Sequence, residues 1–413
     1  MRMGDMTIGP LLRDLREQSG RSQSEQAQLL SELAGRVVTR NEVSRWESEG
    51  RLLTPFWQKH HAGSFGVDVA ELRRAVAAAK ARRRSRPEEV CDPVQRRQFI
   101  GGLAGLALPR LGAEFPRGRR IGEADVDRLR RHTARLRRLD DVMGGGDTYS
   151  IYAAELRSTA RLLNEGQYAD EVGRALRSLL AEQAQLTGWA AFDAGRHARA
   201  RVHYTTSLAA AEEAGDGALA GNALAFVAYQ ETCTARDGTK TAFASYEKAR
   251  AVATPRVKAL LLERKAWSYA VVGDARQTED SLARAREVLE QQDDRREPDW
   301  VFWVDRNEVD IMAGRCWTEL CRPLRAVPVL ESVLSGFDDT HARDKALYLT
   351  WLAGSYLQAR EVEQSASTLE KAFELANGVA SVRPSARITN VARKLAVHRA
   401  VPEVGAALER IGS

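Results

Sequence analysis

The chain has 413 residues, of which 44% are hydrophobic and 29% charged, so it is long enough for two or three globular domains. Its four scattered cysteines exclude the disulfide framework of a small secreted domain and favour a reducing cytoplasm. Residues 1–120 carry 22 basic and 14 acidic side chains, which gives them a net charge of +8. The whole chain has 62 basic and 56 acidic side chains, so residues 121–413 carry 40 basic and 42 acidic ones and have a net charge of −2. This asymmetry indicates nucleic-acid binding by the N-terminal part, although an acidic protein surface or a membrane would suit the same charge.

The first predicted elements are three short helices. Residues 8–19 carry apolar side chains at helical spacing, which predicts an amphipathic helix. Ser22 with Glu25 and Thr39 with Glu42 form two capping boxes, and each marks the start of a helix. Gly35 is a typical helix terminator. The pattern predicts helices from Gln23 to Ala34 and from Arg40 to about Glu49, which together form a helix-turn-helix.

The second of these helices carries a candidate base-reading face. Val43 and Trp46 share one face and would anchor the helix in a core. Side chains that can read bases in a DNA major groove lie on or near the other face: Arg40, Asn41, Ser44 and Arg45. Any short polar helix also has a solvated face, so this pattern alone does not decide between the two interpretations.

The run "LLRDLREQSGRSQSEQAQLLSELAGRVVTRNEVSRWESEGRLLTP" as a whole resembles the Cro/repressor-type (Xre-family) helix-turn-helix domains of bacteria. The resemblance covers roughly residues 6–80 and implies a five-helix, lambda-repressor-like DNA-binding domain, assigned to residues 1–80. It also implies that Gln23 contacts a phosphate and that Arg40, Asn41, Ser44 and Arg45 read bases. The connection "AGRVV" is longer than the family's usual turn, which would shift the base-reading positions by one residue.

Residues 81–120 form a predicted linker. An arginine-rich stretch precedes "QRRQFIGGLAGLALPRLGA", which looks like a twin-arginine export signal. Such signals are read at the extreme N-terminus, and the apolar run from Phe99 to Leu108 is too short to span a bilayer. We therefore expect a cytoplasmic protein in which this run is a linker helix packed on the following domain. The arginine-rich stretch would either lie along the DNA backbone or be merely solvated.

Residues 121–413 are predicted to be helical throughout and to repeat. "LTGWAAFDAGRHARARVHYTTSLAAAEEAG" places Gly188, Gly195, Ala200 and Tyr204 as in a tetratricopeptide repeat, and "ERKAWSYAVVGDARQTEDSLARAREVL" is similar to it. The resemblance implies an all-α chain in which the N-terminal domain is followed by an α-solenoid of degenerate repeats. Bacterial Xre-type regulators with a repeat domain, including peptide-pheromone-responsive ones, have this domain order.

The first helices of each repeat would line the inner surface of a solenoid. The repeats are predicted to start at Ala181, Ala223, Ala259, Trp300 and Ala346. On this register, the inner surface carries Glu182, Gln185, Trp189, Glu231, Glu263, Trp267 and Glu308. Carboxylates and indole rings attract cations, so the sequence predicts a groove for a basic or aromatic ligand. The competing interpretation places the tryptophans in the core and the glutamates in water.

No catalytic constellation, metal-ligand set or phosphate-binding loop competes with these patterns, so we expect neither an enzyme nor a cofactor. The sequence predicts a regulator that binds double-stranded DNA as a homodimer held together by the repeat domain, which would sense a small molecule, a peptide or a protein, without a membrane partner. The alternative is a scaffold protein with little or no specific DNA readout.

Overall fold

The computed structural model describes residues 6–35, 38, 40–49, 52–84, 120–140, 143–337, 341–377 and 379–412. In these ranges all regular secondary structure is helical, apart from one isolated parallel bridge between Arg120 and Gln167. The described chain is therefore all-α, as predicted. Residues 6–84 belong to one compact unit, and residues 120–376 with 380–412 belong to a second. The predicted linker helix at 99–108 lies outside the described residues.

The first unit contains five α-helices: α1 (Ile8–Gln18), α2 (Gln23–Ala34), α3 (Arg40–Glu47), α4 (Pro55–Phe65) and α5 (Val69–Arg84). Helix α1 packs against α3 and α5, and α2 packs against α3 and α4. The fully buried Trp46 of α3 lies at the centre of the core, with its ring centroid 4.8 Å from that of Trp57 on α4. All five helices contribute apolar side chains to this one core.

The ends of α2 are where the sequence predicts them. The backbone nitrogen of Glu25 donates to Ser22 Oγ at 3.2 Å, and the backbone nitrogen of Ser22 donates to Glu25 Oε2 at 2.7 Å. Gly35 ends the helix with φ of 64°, in the left-handed region that glycine tolerates best. Helix α3 ends at Glu47, two residues before the predicted end, and Thr39 of the second capping box lies outside the described residues.

The second unit contains fourteen α-helices among its described residues. The first seven are α6 (Glu123–Arg137), α7 (Gly145–Glu165), α8 (Asp170–Asp193), α9 (His197–Ala214), α10 (Gly217–Cys233), α11 (Thr239–Ala249) and α12 (Pro255–Val271). The remaining seven are α13 (Ala275–Leu289), α14 (Arg306–Glu319), α15 (Pro323–Ser335), α16 (Ala342–Gln358), α17 (Val362–Ala376), α18 (Val382–Leu395) and α19 (Pro402–Ile411). None of the described helices is long and apolar enough to cross a bilayer.

From α8 to α17 the helices pack as five successive pairs, beginning with α8 and α9 and ending with α16 and α17. The first helix of each pair also contacts the first helix of the next pair, from α8 through α10, α12, α14 and α16 to α18. These first helices therefore form a continuous row in the second unit.

Small residues let the two helices of a pair approach closely. A Cβ atom added to Gly188 on α8 would lie 2.5 Å from Cε1 of Tyr204 on α9. A Cβ atom added to Gly314 on α14 would lie equally close, 2.5 Å, to Cγ of Leu330 on α15. Tyr204 itself is only 1% exposed. Gly188 and Tyr204, which the sequence pattern assigns to one repeat, thus lie at a direct contact between α8 and α9.

The predicted repeat register fails at one position. It starts successive repeats at Ala181, Ala223, Ala259, Trp300 and Ala346. The four alanines are fully buried in the first helices of their pairs, whereas Trp300 lies in a short 3-10 helix, Asp299–Val301, ahead of α14. An irregular connection between α13 and α14 displaces the expected position.

Candidate nucleic-acid interface and candidate ligand cavity

Helix α3 presents most of the side chains predicted to read bases. Val43 and Trp46 are 1% and 0% exposed and fix the helix in the core. Arg40 is exposed, and Ser44 and Arg45 are half-buried. The side chain of the remaining predicted residue, Asn41, lies outside the described set. The anchored face and the accessible face of α3 are therefore distinct, as base readout by an inserted helix requires.

Gln23, the predicted phosphate contact, is engaged within the first unit. It lies in the first turn of α2, and its Nε2 donates to Glu47 Oε2 of α3 at 2.9 Å. Arg16 of α1 donates from Nε to the other oxygen of the same carboxylate at 2.5 Å. Glu47 is 3% exposed and joins three helices, and it raises the pKa of Arg16. The contact of Gln23 with a phosphate stays a prediction.

The core of the first unit also contains a buried histidine. His61 on α4 is 1% exposed and packs edge-on against Trp46, with ring centroids 4.9 Å apart. Neither ring nitrogen has a hydrogen-bond partner among the described residues. Burial, and to a smaller extent the neighbouring His60, lower the pKa of His61 to about 3. His61 is therefore a neutral core residue rather than a site of chemistry.

The second unit contains a partly open cavity of about 300 Å³. The row of first helices lines it, together with α6, the short 3-10 helix before α14 and the connection that precedes α16. Much of its wall is aromatic, including Trp189, Phe226, Trp300, Phe302, Trp303 and Phe337. The volume is at the lower end of the roughly 300–1,000 Å³ of small-molecule sites.

The structure places four of the seven predicted groove residues on this cavity: Glu182, Gln185, Trp189 and Glu308. The other three are Glu231, Glu263 and Trp267. Glu231 is held outside the cavity by Arg201, whose Nη1 lies 2.8 Å from its Oε1. Glu263 is 0% exposed and Trp267 is 4% exposed, and the neighbour of Glu263 on α12, Arg264, lines the cavity instead. Adjacent helical residues differ by about 100° in direction, so an error of one residue accounts for Glu263.

Most of the acidic groups in the cavity wall are already paired. Glu182 binds Arg137, and Asp140 lies 3.0 Å from Nη1 of Arg343. Asp344 binds Nε of Arg343, also at 3.0 Å. Burial raises the pKa of Asp140 to about 6, although Arg343 opposes this shift. These contacts leave few carboxylates for a basic ligand, in contrast to the acidic groove that the sequence predicts.

Gln185 belongs to a polar network rather than to an open binding surface. Its Nε2 donates to Ser207 Oγ and to the backbone oxygen of Leu219, both at 3.0 Å. Its Oε1 accepts from Nδ2 of Asn222 at 2.7 Å. All of its amide atoms are therefore used to join α8, α9 and α10.

Guanidinium groups converge on Tyr229 at one end of the cavity. Nη2 of Arg315 donates to the Tyr229 hydroxyl at 3.0 Å, and Nη2 of Arg383 donates to the same oxygen at 2.9 Å. The guanidinium of Arg264 lies 4.9 Å from the centre of the Tyr229 ring. Arg383 also stacks 4.7 Å from the centre of the Trp189 ring. Aromatic faces and a phenol oxygen therefore hold three cations close together.

Two carboxyl groups lie near these cations without forming close ion pairs with Arg315. Burial raises the pKa of Glu263 well above its usual range, although Arg264 opposes the shift, and neither of its oxygens has a hydrogen-bond partner among the described residues. Burial also raises the pKa of Glu308, which accepts a 3.3 Å hydrogen bond from the hydroxyl of Tyr348. Oε1 of Glu263 lies 3.6 Å from Nη2 of Arg264.

The arginines of the cavity were not predicted, because a single arginine is weak evidence for a site in a chain so rich in this residue. One signal was present, however. Arg315 follows the predicted groove residue Glu308 by seven positions on α14, and seven residues are two helical turns, so the two share a face. Extending the predicted face along its helix would have found Arg315.

No family model matches the chain, and no curated protein sequence matches it significantly. Among the described residues, no group of three or more histidine, cysteine or acidic side chains is placed to bind a metal ion. The features of the described residues that bear on function are therefore the accessible face of α3 and the cavity of the second unit.

Proposed function

We propose that the protein is a sequence-specific DNA-binding transcriptional regulator whose second unit senses a ligand. In this proposal the first unit is an Xre-type helix-turn-helix domain formed by α2 and α3 within five helices. The second unit is an α-solenoid of degenerate tetratricopeptide repeats. The observation that carries the proposal is α3 itself, with a buried apolar face and an accessible face that carries Arg40, Ser44 and Arg45.

The dimensions and charge of the first unit suit the major groove. An α-helix with its side chains is about 10–12 Å across, which matches the major groove's width of about 12 Å. Helix α3 has eight residues, or about two turns. Arginine can form two hydrogen bonds with guanine, and serine can bond several bases. The net charge of +8 on residues 1–120 would attract the phosphate backbone.

Small helix-turn-helix units bind half-sites weakly, and two copies are usually joined one helical turn of DNA apart. We therefore propose a homodimer on an inverted-repeat operator. A ligand bound in the second unit would alter DNA affinity by changing the equilibrium between arrangements of the two copies, with a coupling free energy typically of about 1–3 kcal/mol.

Selection of random duplexes by the purified full chain at moderate salt tests the proposal. We expect an inverted repeat to be enriched, and we expect the protein to bind this repeat at least a hundredfold more tightly than random DNA. A chain that enriches no sequence would instead support a scaffold protein whose second unit docks a partner.

The predicted contribution of α3 is then tested at the enriched site. Replacing Arg45 by alanine should cost about 1–3 kcal/mol on the cognate duplex and much less on random DNA, because only the former offers the matching base edge. Arg73→Ala on α5 is the matched control, since it removes the same charge from an exposed position of the same unit. Equal losses on both duplexes for Arg45→Ala would assign Arg45 to phosphate binding.

A further inference from the structure

Arg315, a cation in the cavity of the second unit, has no carboxylate in direct contact among the residues that the structure describes. Arg315 is 3% exposed, and no carboxylate oxygen of a described residue lies within 4.0 Å of its nitrogens. Its Nε has no hydrogen-bond partner among the described residues, and its Nη2 donates to the hydroxyl oxygen of Tyr229. Burying a charge without a partner is costly, so this arrangement favours an anion that supplies one.

The neighbouring acidic groups do not fill this role. The carboxylates of Glu182, Asp140 and Asp344 are bound by Arg137 and Arg343. The remaining ones are Glu263, Glu308 and Asp193. Glu263 lies 3.6 Å from Arg264, Glu308 accepts a hydrogen bond from Tyr348, and Asp193 lies 3.7 Å from Arg383 and accepts one from Ser381. None of the three has a carboxylate oxygen within 4.0 Å of a nitrogen of Arg315.

The second guanidinium of the site is only loosely paired. The distance of 3.7 Å between Arg383 Nη1 and Asp193 Oδ1 is longer than a charge-assisted hydrogen bond of about 2.7–2.9 Å. Arg383 and Arg315 meet at the same Tyr229 oxygen, so both of them border one point of the cavity. A planar anion at this point would receive hydrogen bonds from two guanidinium groups.

The wall beyond these cations determines the rest of the ligand. Trp189, Phe226 and Trp303 line the cavity with Tyr229, and they offer flat apolar faces. A cavity of about 300 Å³ accommodates one or two fused rings rather than a long chain. Arg383 has Asp193 nearby and Arg264 has Glu263, so Arg315 is the only one of these three cations without a carboxylate within 4.0 Å among the described residues. This charge suits a singly charged carboxylate better than a phosphate dianion, and the planar carboxylate matches the guanidinium fork.

We propose that this cavity binds an aromatic carboxylate, with its carboxylate between Arg315 and Arg383 and its ring against the aromatic wall. Binding itself needs only the second unit. Its regulatory meaning rests on the proposed function, in which this molecule would be the sensed ligand.

Calorimetric titration of the full chain with benzoate, indole-3-carboxylate and 2-naphthoate tests the proposal. Each acid is compared with its own carboxamide, which has the same shape without the charge. We expect at least one acid to bind, at least tenfold more tightly than its amide. If no acid binds more tightly than its amide, the proposal is wrong, and this result needs no variant.

Two substitutions locate the site. Arg315→Met and Arg383→Met should each weaken the binding of the best acid at least tenfold and bring its affinity close to that of the amide. Arg325→Met is the matched control, because Arg325 also stacks on a tryptophan, 3.9 Å from the ring of Trp317, but lies outside the cavity and pairs with Glu279. Wild-type affinity in both cavity variants, confirmed as folded by circular dichroism, would place the acid elsewhere and overturn the proposal.

The same preparation is used in the DNA selection, so the two proposals fail separately. A chain that prefers acids to amides but enriches no DNA sequence would retain the ligand site and contradict the regulator. A chain that enriches an operator but does not distinguish acids from amides would contradict the ligand site alone.

Discussion

Acidification should destabilise the first unit through His61. This side chain is neutral in the folded core because burial lowers its pKa to about 3, whereas an unfolded histidine titrates near 6.5. Below pH 6.5 the unfolded state therefore binds a proton that the folded state does not. The free energy of unfolding then rises with pH across this window, and the contribution is lost as the pH falls from about 6.5 towards 3.

The expected magnitude follows from the two pKa values. Each pH unit in the window changes the free energy of unfolding by about 1.36 kcal/mol. Between pH 7 and pH 5 the unit should lose about 2 kcal/mol through His61 alone, because only the part of this interval below 6.5 contributes. His61 is 1% exposed, so solvent screening does not reduce this value appreciably.

The test compares the wild type with His61→Leu, which fills a similar volume beside Trp46 and cannot bind a proton. Hydrogen exchange of the full chain, followed by mass spectrometry, reports the opening free energy of peptides from α3 and α4 at pH 7 and pH 5. Comparing the two proteins at the same pH cancels the intrinsic exchange rate. The variant should lose about 2 kcal/mol less than the wild type, and peptides from α12 in the second unit should be equal in both.

The variant should also be more stable at pH 7. A buried polar group without a partner costs about 1–3 kcal/mol, and leucine removes both ring nitrogens. Equal pH dependence in the wild type and His61→Leu would refute the reasoning, because it would mean that His61 binds protons equally in the folded and unfolded states.

Two further substitutions test the local packing and capping by the same exchange measurement. Gly188→Ala should destabilise the contact between α8 and α9 by about 1–3 kcal/mol, because the new methyl group would lie 2.5 Å from the ring of Tyr204. Gly63→Ala on α4 is the control: nothing lies within 4 Å of the new methyl group, so this variant should stabilise its helix by up to about 1 kcal/mol. A loss of stability in both variants would contradict the close contact as the cause. Ser22→Ala should lower the stability of α2 by about 1 kcal/mol, because it removes the oxygen that accepts the hydrogen bond from the backbone nitrogen of Glu25. Ser24 is exposed on the same helix, so Ser24→Ala should change the stability little. Equal losses in the two variants would mean that the cap is not the cause.

The bounds of α2 were predictable because each end carries its own local chemistry. Ser22 and Glu25 satisfy each other's backbone groups at the start, and Gly35 adopts the left-handed conformation at the end. The end of α3 carries no such signal, and the helix ends at Glu47, two residues before the prediction. Glu47 is engaged by Arg16 and Gln23, contacts that no local pattern in α3 could reveal.

The cavity was only partly predictable, for a different physical reason. Helical spacing places Glu182, Gln185 and Trp189 on one face of α8, and this face does line the cavity. The same reasoning fails on α12, where a rotation by one residue exchanges Glu263 for Arg264. The direction of a helix face is fixed by the neighbours against which the helix packs. For α12 these are α10, α11, α13 and α14, and the spacing of its own residues does not reveal those contacts.

The convergence of arginines on Tyr229 is the part that sequence reasoning could least provide. Arginine is almost never fully buried unless it is paired, so an unmatched arginine on a helix is normally assigned to solvent. Here the hydroxyl of Tyr229 accepts hydrogen bonds from both arginines, and Tyr229 is 86 residues from Arg315 and 154 residues from Arg383 in the chain. Because three helices must be in place before these side chains meet, the positive end of the cavity is a property of the assembled second unit. An anion bound there would contact α10, α14 and α18 at once, and its binding would therefore stabilise one relative placement of these helices over others.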